Sequence, residues 1–144
     1  MINLKDYSDF DFSEVRLLLS ECMWPDEDRI SEEINLYISD DSRELYGRFI
    51  NDELIGLIGI IRKSIIEVEL KHIAIRSDYR KQGIGRDMIF KYIADNGILI
   101  IKAETDLEAV DFYKNIGFHI LNLGEKYPGV NRYRCIYSME GKDI

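Results

Sequence analysis

The stretch Lys71-His-Ile-Ala-Ile-Arg-Ser-Asp-Tyr-Arg-Lys-Gln-Gly-Ile-Gly-Arg-Asp-Met-Ile-Phe90 passes from an apolar strand through a basic, glycine-containing turn into an amphipathic helix. That order of residue types makes an anion site. The first backbone N–H groups of a helix have no intrahelical partner, and the macrodipole places partial positive charge on them. Gly83 and Gly85 let a phosphate approach the main chain, where a Cβ would hold it off, and Arg80, Lys81 and Arg86 add cationic side chains. The ligand expected is a pyrophosphate. A Walker A loop needs Gly-Lys-Ser/Thr where this turn reads Gly85-Arg86-Asp87, and a dinucleotide fingerprint needs glycine where Met88 stands. A mononucleotide site, or glycines that merely pack a helix against a strand, remain open on this segment alone.

The pattern Arg80-x-x-Gly83-x-Gly85 after a strand resembles the acyl-CoA signature of the GNAT acetyltransferase superfamily. A second segment agrees. Asp106-Leu-Glu-Ala-Val-Asp-Phe-Tyr113-Lys-Asn-Ile-Gly117-Phe118 resembles that superfamily's tyrosine-bearing helix, with matching spacing at Ala109, Phe112, Tyr113, Gly117 and Phe118. Thr105 and Glu108 read as a capping box that starts this helix, and Gly117 as the left-handed residue that stops it. Many members carry Asn where this chain has Asp106; a capping role survives that change, and no cofactor contact is assigned there.

The resemblance implies acetyl-CoA as acyl donor, cradled by Arg80, Lys81, Gln82, Gly83, Ile84, Gly85 and Arg86. It also implies that the pantetheine arm pairs with the strand at Ile73, Ala74 and Ile75, whose backbone amides stabilise an oxyanion. Transfer to an amine further needs a base and an acid. Glu69 matches the general-base glutamate of the histone-acetylating branch, with His72 or a water as alternatives. Tyr113 matches the tyrosine that protonates the leaving thiolate. Read as residues only, Glu67, Glu69 and Lys71 share strand parity and equally fit a solvated face, and Tyr113 equally fits packing beside Phe112.

At 144 residues, 46% apolar and 11% aromatic, the chain suits one domain over residues 1–144 with a real core. Net charge is −8, yet residues 71–91 hold six basic and two acidic groups, leaving −12 on the remainder. A local basic pocket on an acidic body suits a polyanionic cofactor and a cationic amine acceptor, a small molecule or a peptide. No extended basic face with interleaved aromatics points to nucleic acid. The start, Met1 to Asp6, lacks a basic region followed by an apolar run, and the apolar stretches are strand-length, so a soluble cytoplasmic protein is expected, without membrane contact. Cys22 and Cys135 lie far apart without metal-ligand spacing, which indicates neither zinc nor a disulfide. The acidic run Asp26-Glu-Asp28 could hold a cation, and Trp24, Tyr127 and Arg132 fall where the resemblance puts the acceptor pocket.

The expected order is a first strand at Ile2–Lys5, a helix capped by Ser13, and a second from Glu27 or Ser31. Strands follow at Arg43–Ile50 and Leu54–Arg62 around an Asn51-Asp52-Glu53 hairpin, then Ile65–Ile75, the cradle helix ending at Gly97, and Ile98–Ala103. The Tyr113 helix and two strands around a Lys126–Val130 loop complete the chain. The resemblance turns this order into an α/β fold with a strongly twisted mixed sheet and helices on both faces. It leaves monomer and homodimer open. The competing reading is a catalytically silent acyl-CoA-binding module that senses acyl-CoA or regulates a partner.

Overall fold

The computed structural model describes residues 1–6 and 12–139. The elements are β1 (Ile2–Asn3), α1 (Ser13–Cys22), α2 (Glu27–Ser39), β2 (Arg43–Ile50), β3 (Glu53–Arg62), β4 (Glu67–Ile75), α3 (Ile84–Asn96), β5 (Ile100–Thr105), α4 (Val110–Asn115), β6 (His119–Tyr127) and β7 (Val130–Ser138). The strands form one seven-stranded sheet in the order β1-β2-β3-β4-β5-β7-β6. Every pairing is antiparallel except β4 with β5, so the sheet is mixed as expected.

The continuous apolar run Leu54–Ile60 explains why β3 lies inside the sheet. A strand covered on both faces has no solvated side to alternate with. Leu54 and Leu57 join Leu4, Val15, Leu18, Leu19, Ile30, Ile34 and Tyr37 in a core under α1 and α2. Ile55, Ile58 and Ile60 join Val68, Leu70, Met88, Ile89, Tyr92 and Tyr113 in a second core under α3 and α4. Asn51 and Asp52, both at positive φ, make the two-residue turn between β2 and β3. Gly97 and Gly117, also at positive φ, stop α3 and α4 where expected.

Four local expectations change. Ser13 is the first residue of α1, with Phe12 at the cap position. Thr105 ends β5, and Asp106 caps the following turn instead, its Oδ1 accepting the Ala109 N–H at 3.0 Å. The run Asp26–Asp28 is the start of α2: Asp26 Oδ1 accepts from the N–H groups of Asp28 at 2.9 Å and Arg29 at 3.3 Å, which gives this acidic cluster a capping role. The Lys126–Val130 loop shrinks to a turn at Pro128 and Gly129, because β6 and β7 pair out to Tyr127 and Val130.

Candidate active site

β4 and β5 pair only at Glu67 with Ile100, Val68 with Ile101 and Glu69 with Lys102. Beyond Glu69 the two strands part. β5 continues against β7 to Thr105, and β4 continues against β3 to Ile75, which opens a wedge in the sheet. The Arg76 N–H donates to Ile55 O at 2.8 Å on β3, and the register pairs Leu57 with Ala74 and Ile58 with Ile73. Main-chain groups alternate sides along an antiparallel strand. Ala74 therefore bonds toward β3, and the amides of Ile73 and Ile75 point into the wedge. Consistently, Ile75 O is free on that side to accept from Arg80 Nε at 2.9 Å. The expectation that Ala74 belongs to the same edge fails for this reason, and its side chain is buried under α1 and α2.

The register between β3 and β4 shifts between Gly59 and Ile60, so Lys71 is an extra residue, a β-bulge. Val68 and Leu70 point under α3, whereas His72 and Ala74 point under α1 and α2. Strand parity alone would separate Glu69 from His72; the bulge puts both on the α1–α2 side. The Glu69 carboxylate is 3.5 Å from Lys63 Nζ and half-exposed, while Glu67 pairs with Lys102 at 3.4 Å. His72 is only 6% exposed, and its Nδ1 lies 2.6 Å from the Tyr37 hydroxyl. Burial is the largest influence on the imidazole and lowers its pKa to about 4, with Lys71 and Arg43 acting the same way against Glu33.

A histidine that stays neutral when folded but protonates near 6.5 when unfolded makes stability pH-dependent. Above 6.5 both states are neutral. As pH falls from about 6.5 toward about 4, the unfolded chain takes up a proton that the native state refuses, and roughly 3 kcal/mol is lost. Melting temperature followed from pH 7.5 to 4.5 should fall more steeply for the wild type than for His72→Gln. Parallel curves would show that His72 is not held neutral.

At the far end of β4 the chain turns through Lys81 at φ 61° and Gly83 at φ 79° into α3. Left-handed backbone at a non-glycine residue is strained, and such strain collects at functional loops. Unlike α2, α3 has no side-chain cap at its N-terminus. Gly83 is exposed and has nothing within 4 Å of where a Cβ would stand. Gly85 is different: a Cβ there would meet Phe112 Cζ at 3.3 Å and Ile73 Cδ1 at 3.4 Å, so it is small in order to seat α3 against α4 and β4. Arg80 is also not aimed into the turn. Its Nη2 bonds Glu21 Oε2 at 2.7 Å while Nε holds Ile75 O, tying α1 to the end of β4. Among the described residues, Lys81 and Arg86 are exposed and in no ion pair, and Gln82 is exposed. Ile84 is buried.

Tyr113, on α4, is 5% exposed and packs edge-on to Phe112 and Phe118 at centroid distances of 5.1 and 5.3 Å. Burial raises its pKa above the ordinary phenol range, and the nearby thiols of Cys135 and Cys22 reinforce the rise. No buried side-chain oxygen or nitrogen lacks a partner among the described residues, and the Tyr113 hydroxyl makes no hydrogen bond to any of them. Its oxygen therefore keeps an opening to solvent.

Of the expected site residues, Ile73 and Ile75 turn their amides into the wedge, Glu69 stands where β4 and β5 part, and Tyr113 packs in the core under α3 and α4. Cys22, which the sequence marked only as unsuited to zinc or a disulfide, lies beside Ile73. Its thiol interacts with the Ile73 amide, and burial pushes its pKa up to about 12. Tyr37 and Glu21 carried no local signal, since each acts on a residue far along the chain. Trp24 is 72% exposed and Tyr127 is exposed, while Arg132 lies 3.6 Å from Glu104, which Lys126 also holds at 2.6 Å.

A wedge between a parallel strand pair, leading to an uncapped glycine turn, narrows the comparison with known proteins. Residues 8–129 match the acetyltransferase (GNAT) domain. The chain belongs to the GNAT acetyltransferase family. A Bacillus methanolicus protein named uncharacterized N-acetyltransferase in lysA 3'region is 31% identical to this GNAT domain over 61 residues, 42% of this chain and 51% of its own length. The chain therefore spans about half the length of that curated relative. Among solved structures, an aminoglycoside 6'-N-acetyltransferase complexed with coenzyme A superimposes with a TM-score of 0.73 at 23% identity, covering 94% of this chain and 90% of its own. Aminoglycoside 6'-acetyltransferase type Ii gives 0.70 at 27% identity, covering 96% and 97%. The GNAT family is one of acyltransferases, and the mixed sheet and four helices here are its fold. No helix among the described residues is long and apolar enough to cross a membrane.

Proposed function

We propose that this protein is an acetyl-CoA-dependent N-acetyltransferase that moves the acetyl group directly to a primary amine on a small molecule or peptide. The observation that carries this reading is the wedge beyond Glu69, with the Ile73 and Ile75 amides turned into it and the Gly83 turn at its end. An extended pantetheine arm can add to that open edge as a strand would. The diphosphate then meets the amides from Lys81 to Arg86, with the Lys81 and Arg86 side chains as counter-charges.

With the donor so placed, the thioester oxygen takes the place of the Cys22 thiol at the Ile73 N–H as it becomes an oxyanion. Glu69 serves as general base: an ordinary amine is protonated near neutral pH, and a half-exposed carboxylate in a loose lysine pair can take its proton directly or through water. Amine nitrogen attacks the carbonyl carbon, the carbon–sulfur bond breaks, and Tyr113 supplies the proton that the departing thiolate accepts. Because Tyr113 is held protonated, it is an acid throughout the working range. A covalent acyl-cysteine route is disfavoured by the same physics, since a thiol whose pKa is pushed to about 12 offers little thiolate.

The test is an amine screen with detection of released thiol, covering aminoglycosides, polyamines, amino acids and lysine peptides. With an acceptor in hand, Glu69→Gln should lower kcat by about a hundred-fold and remove the acidic limb of the pH–rate profile. A profile that keeps its limb would give the base role to water. No thiol release with any amine, despite acetyl-CoA binding, would favour the silent binding module.

A further inference from the structure

The β4 bulge decides which amide faces the wedge. Val68 to Leu70 pair with β3 in one register, and His72 to Ile75 pair in a register shifted by one. If the first register ran straight on, Ile73 would stand opposite Leu57 and its N–H would turn into β3. Something must therefore hold the extra residue in place. Lys71 does not: it is exposed, and its side chain makes no hydrogen bond or ion pair among the described residues. Gly59, opposite, has no side chain. The anchor is the next residue, His72.

Its ring lies edge-on to Tyr37 at 5.7 Å, and its Nδ1 is bonded to the Tyr37 hydroxyl. Tyr37 is fully buried, with the Arg43 guanidinium 5.2 Å from its ring centroid and Arg43 in turn paired with Glu33 at 2.8 Å. Gly59 makes room for this arrangement, because a Cβ there would collide with the Tyr37 oxygen. Among the described residues, the one proton of that hydroxyl has a single hydrogen-bonded acceptor, Nδ1. If Nδ1 carried its own proton, the phenol would bury an unpaired donor, which is costly. The ring proton therefore belongs on Nε2, which makes no hydrogen bond to the described residues and keeps contact with solvent. So fixed, His72 presents a donor and cannot take a proton from an amine at that nitrogen.

We propose that Tyr37 is a positioning residue for acetyl transfer: its hydroxyl bond to His72 locks the bulge that turns the Ile73 amide into the wedge on the strand that carries Glu69. This rests on the N-acetyltransferase reading for its catalytic consequence, and on geometry alone for the lock.

Tyr37→Phe removes one oxygen and keeps the ring. In the wild type, nitrogen NMR of His72 should show the Nε2–H tautomer; in the variant the two tautomers should mix. Acetyl-CoA should move the Ile73 amide proton downfield in the wild type and much less in the variant. The amides of Lys71 to Ile73 should exchange about ten-fold faster in the variant. With an acceptor, kcat should fall about ten-fold while KM for acetyl-CoA stays within about two-fold. Gly59→Ala, which displaces the hydroxyl instead of deleting it, should give the same signature if it folds. A wild-type His72 in the Nδ1–H form would overturn the proposal, as would a variant that only lowers Tm and leaves bulge exchange and kcat unchanged. A wild type that binds no acetyl-CoA would sink the enzyme reading, and tautomer and exchange would still decide whether Tyr37 holds the bulge.

Discussion

Gly83→Glu should abolish measurable acetyl-CoA binding, a loss of at least about a hundred-fold, and leave a folded protein. Nothing lies within 4 Å of the added Cβ, so no core contact is broken. The backbone at φ 79° costs a side chain about 1–2 kcal/mol, tolerable for a domain with two cores. The larger effect falls on the ligand. On the proposed reading a diphosphate approaches this uncapped helix start, and glutamate brings both bulk and like charge to the open space beside Gly83. Titration calorimetry with acetyl-CoA on wild type, Gly83→Glu and Gly83→Ala separates the parts, because alanine carries the strain without the charge and should cost about ten-fold at most. Equal binding by all three would remove this turn from the donor site.

Tyr113→Phe should lower kcat by ten-fold or more and leave acetyl-CoA affinity within about two-fold. The hydroxyl makes no hydrogen bond to the described residues, so its loss leaves no orphaned partner, and the ring keeps its edge-on contacts with Phe112 and Phe118. Stability should accordingly change little. What disappears is the proton for the leaving thiolate, and a water in its place is less well positioned. The deficit should shrink with donors whose thiol is more acidic, since a better leaving group needs less help. Steady-state kinetics with acetyl-CoA and a more acidic thioester would show it; an equal deficit with both donors, or unchanged turnover, would deny Tyr113 the acid role.

Local chemistry was readable where neighbours in sequence are neighbours in space. The Asn51-Asp52 turn, the Gly97 and Gly117 stops and the strand–turn–helix around Gly83 needed nothing beyond a few adjacent residues, and the family resemblance rested on those same segments. Thr105 and Asp106 show the margin: both are capping residues one apart, and the extension of β5 against β7 through Thr105 and Tyr133 decided between them. What periodicity could not supply was any feature fixed by a partner dozens of residues away. The bulge at Lys71 is set across β3, the Arg80 side chain is taken by Glu21, and Gly85 is small because Phe112 lies over it. Glu69 and His72 looked like opposite faces of one strand for the same reason.

The division of the interior by the sheet bears on how such a protein diversifies. The Gly83 turn and Tyr113 rest on the apolar cluster under α3 and α4, whereas Tyr37 and the exposed Trp24 connection belong to the side of α1 and α2. Substitutions that share no partner add in their effects on stability. Apart from the two ties to β4 and the turn after it, Tyr37 to His72 and Glu21 to Arg80, one interior can therefore be remodelled while the other keeps its packing, and those four residues are where the two halves must change together.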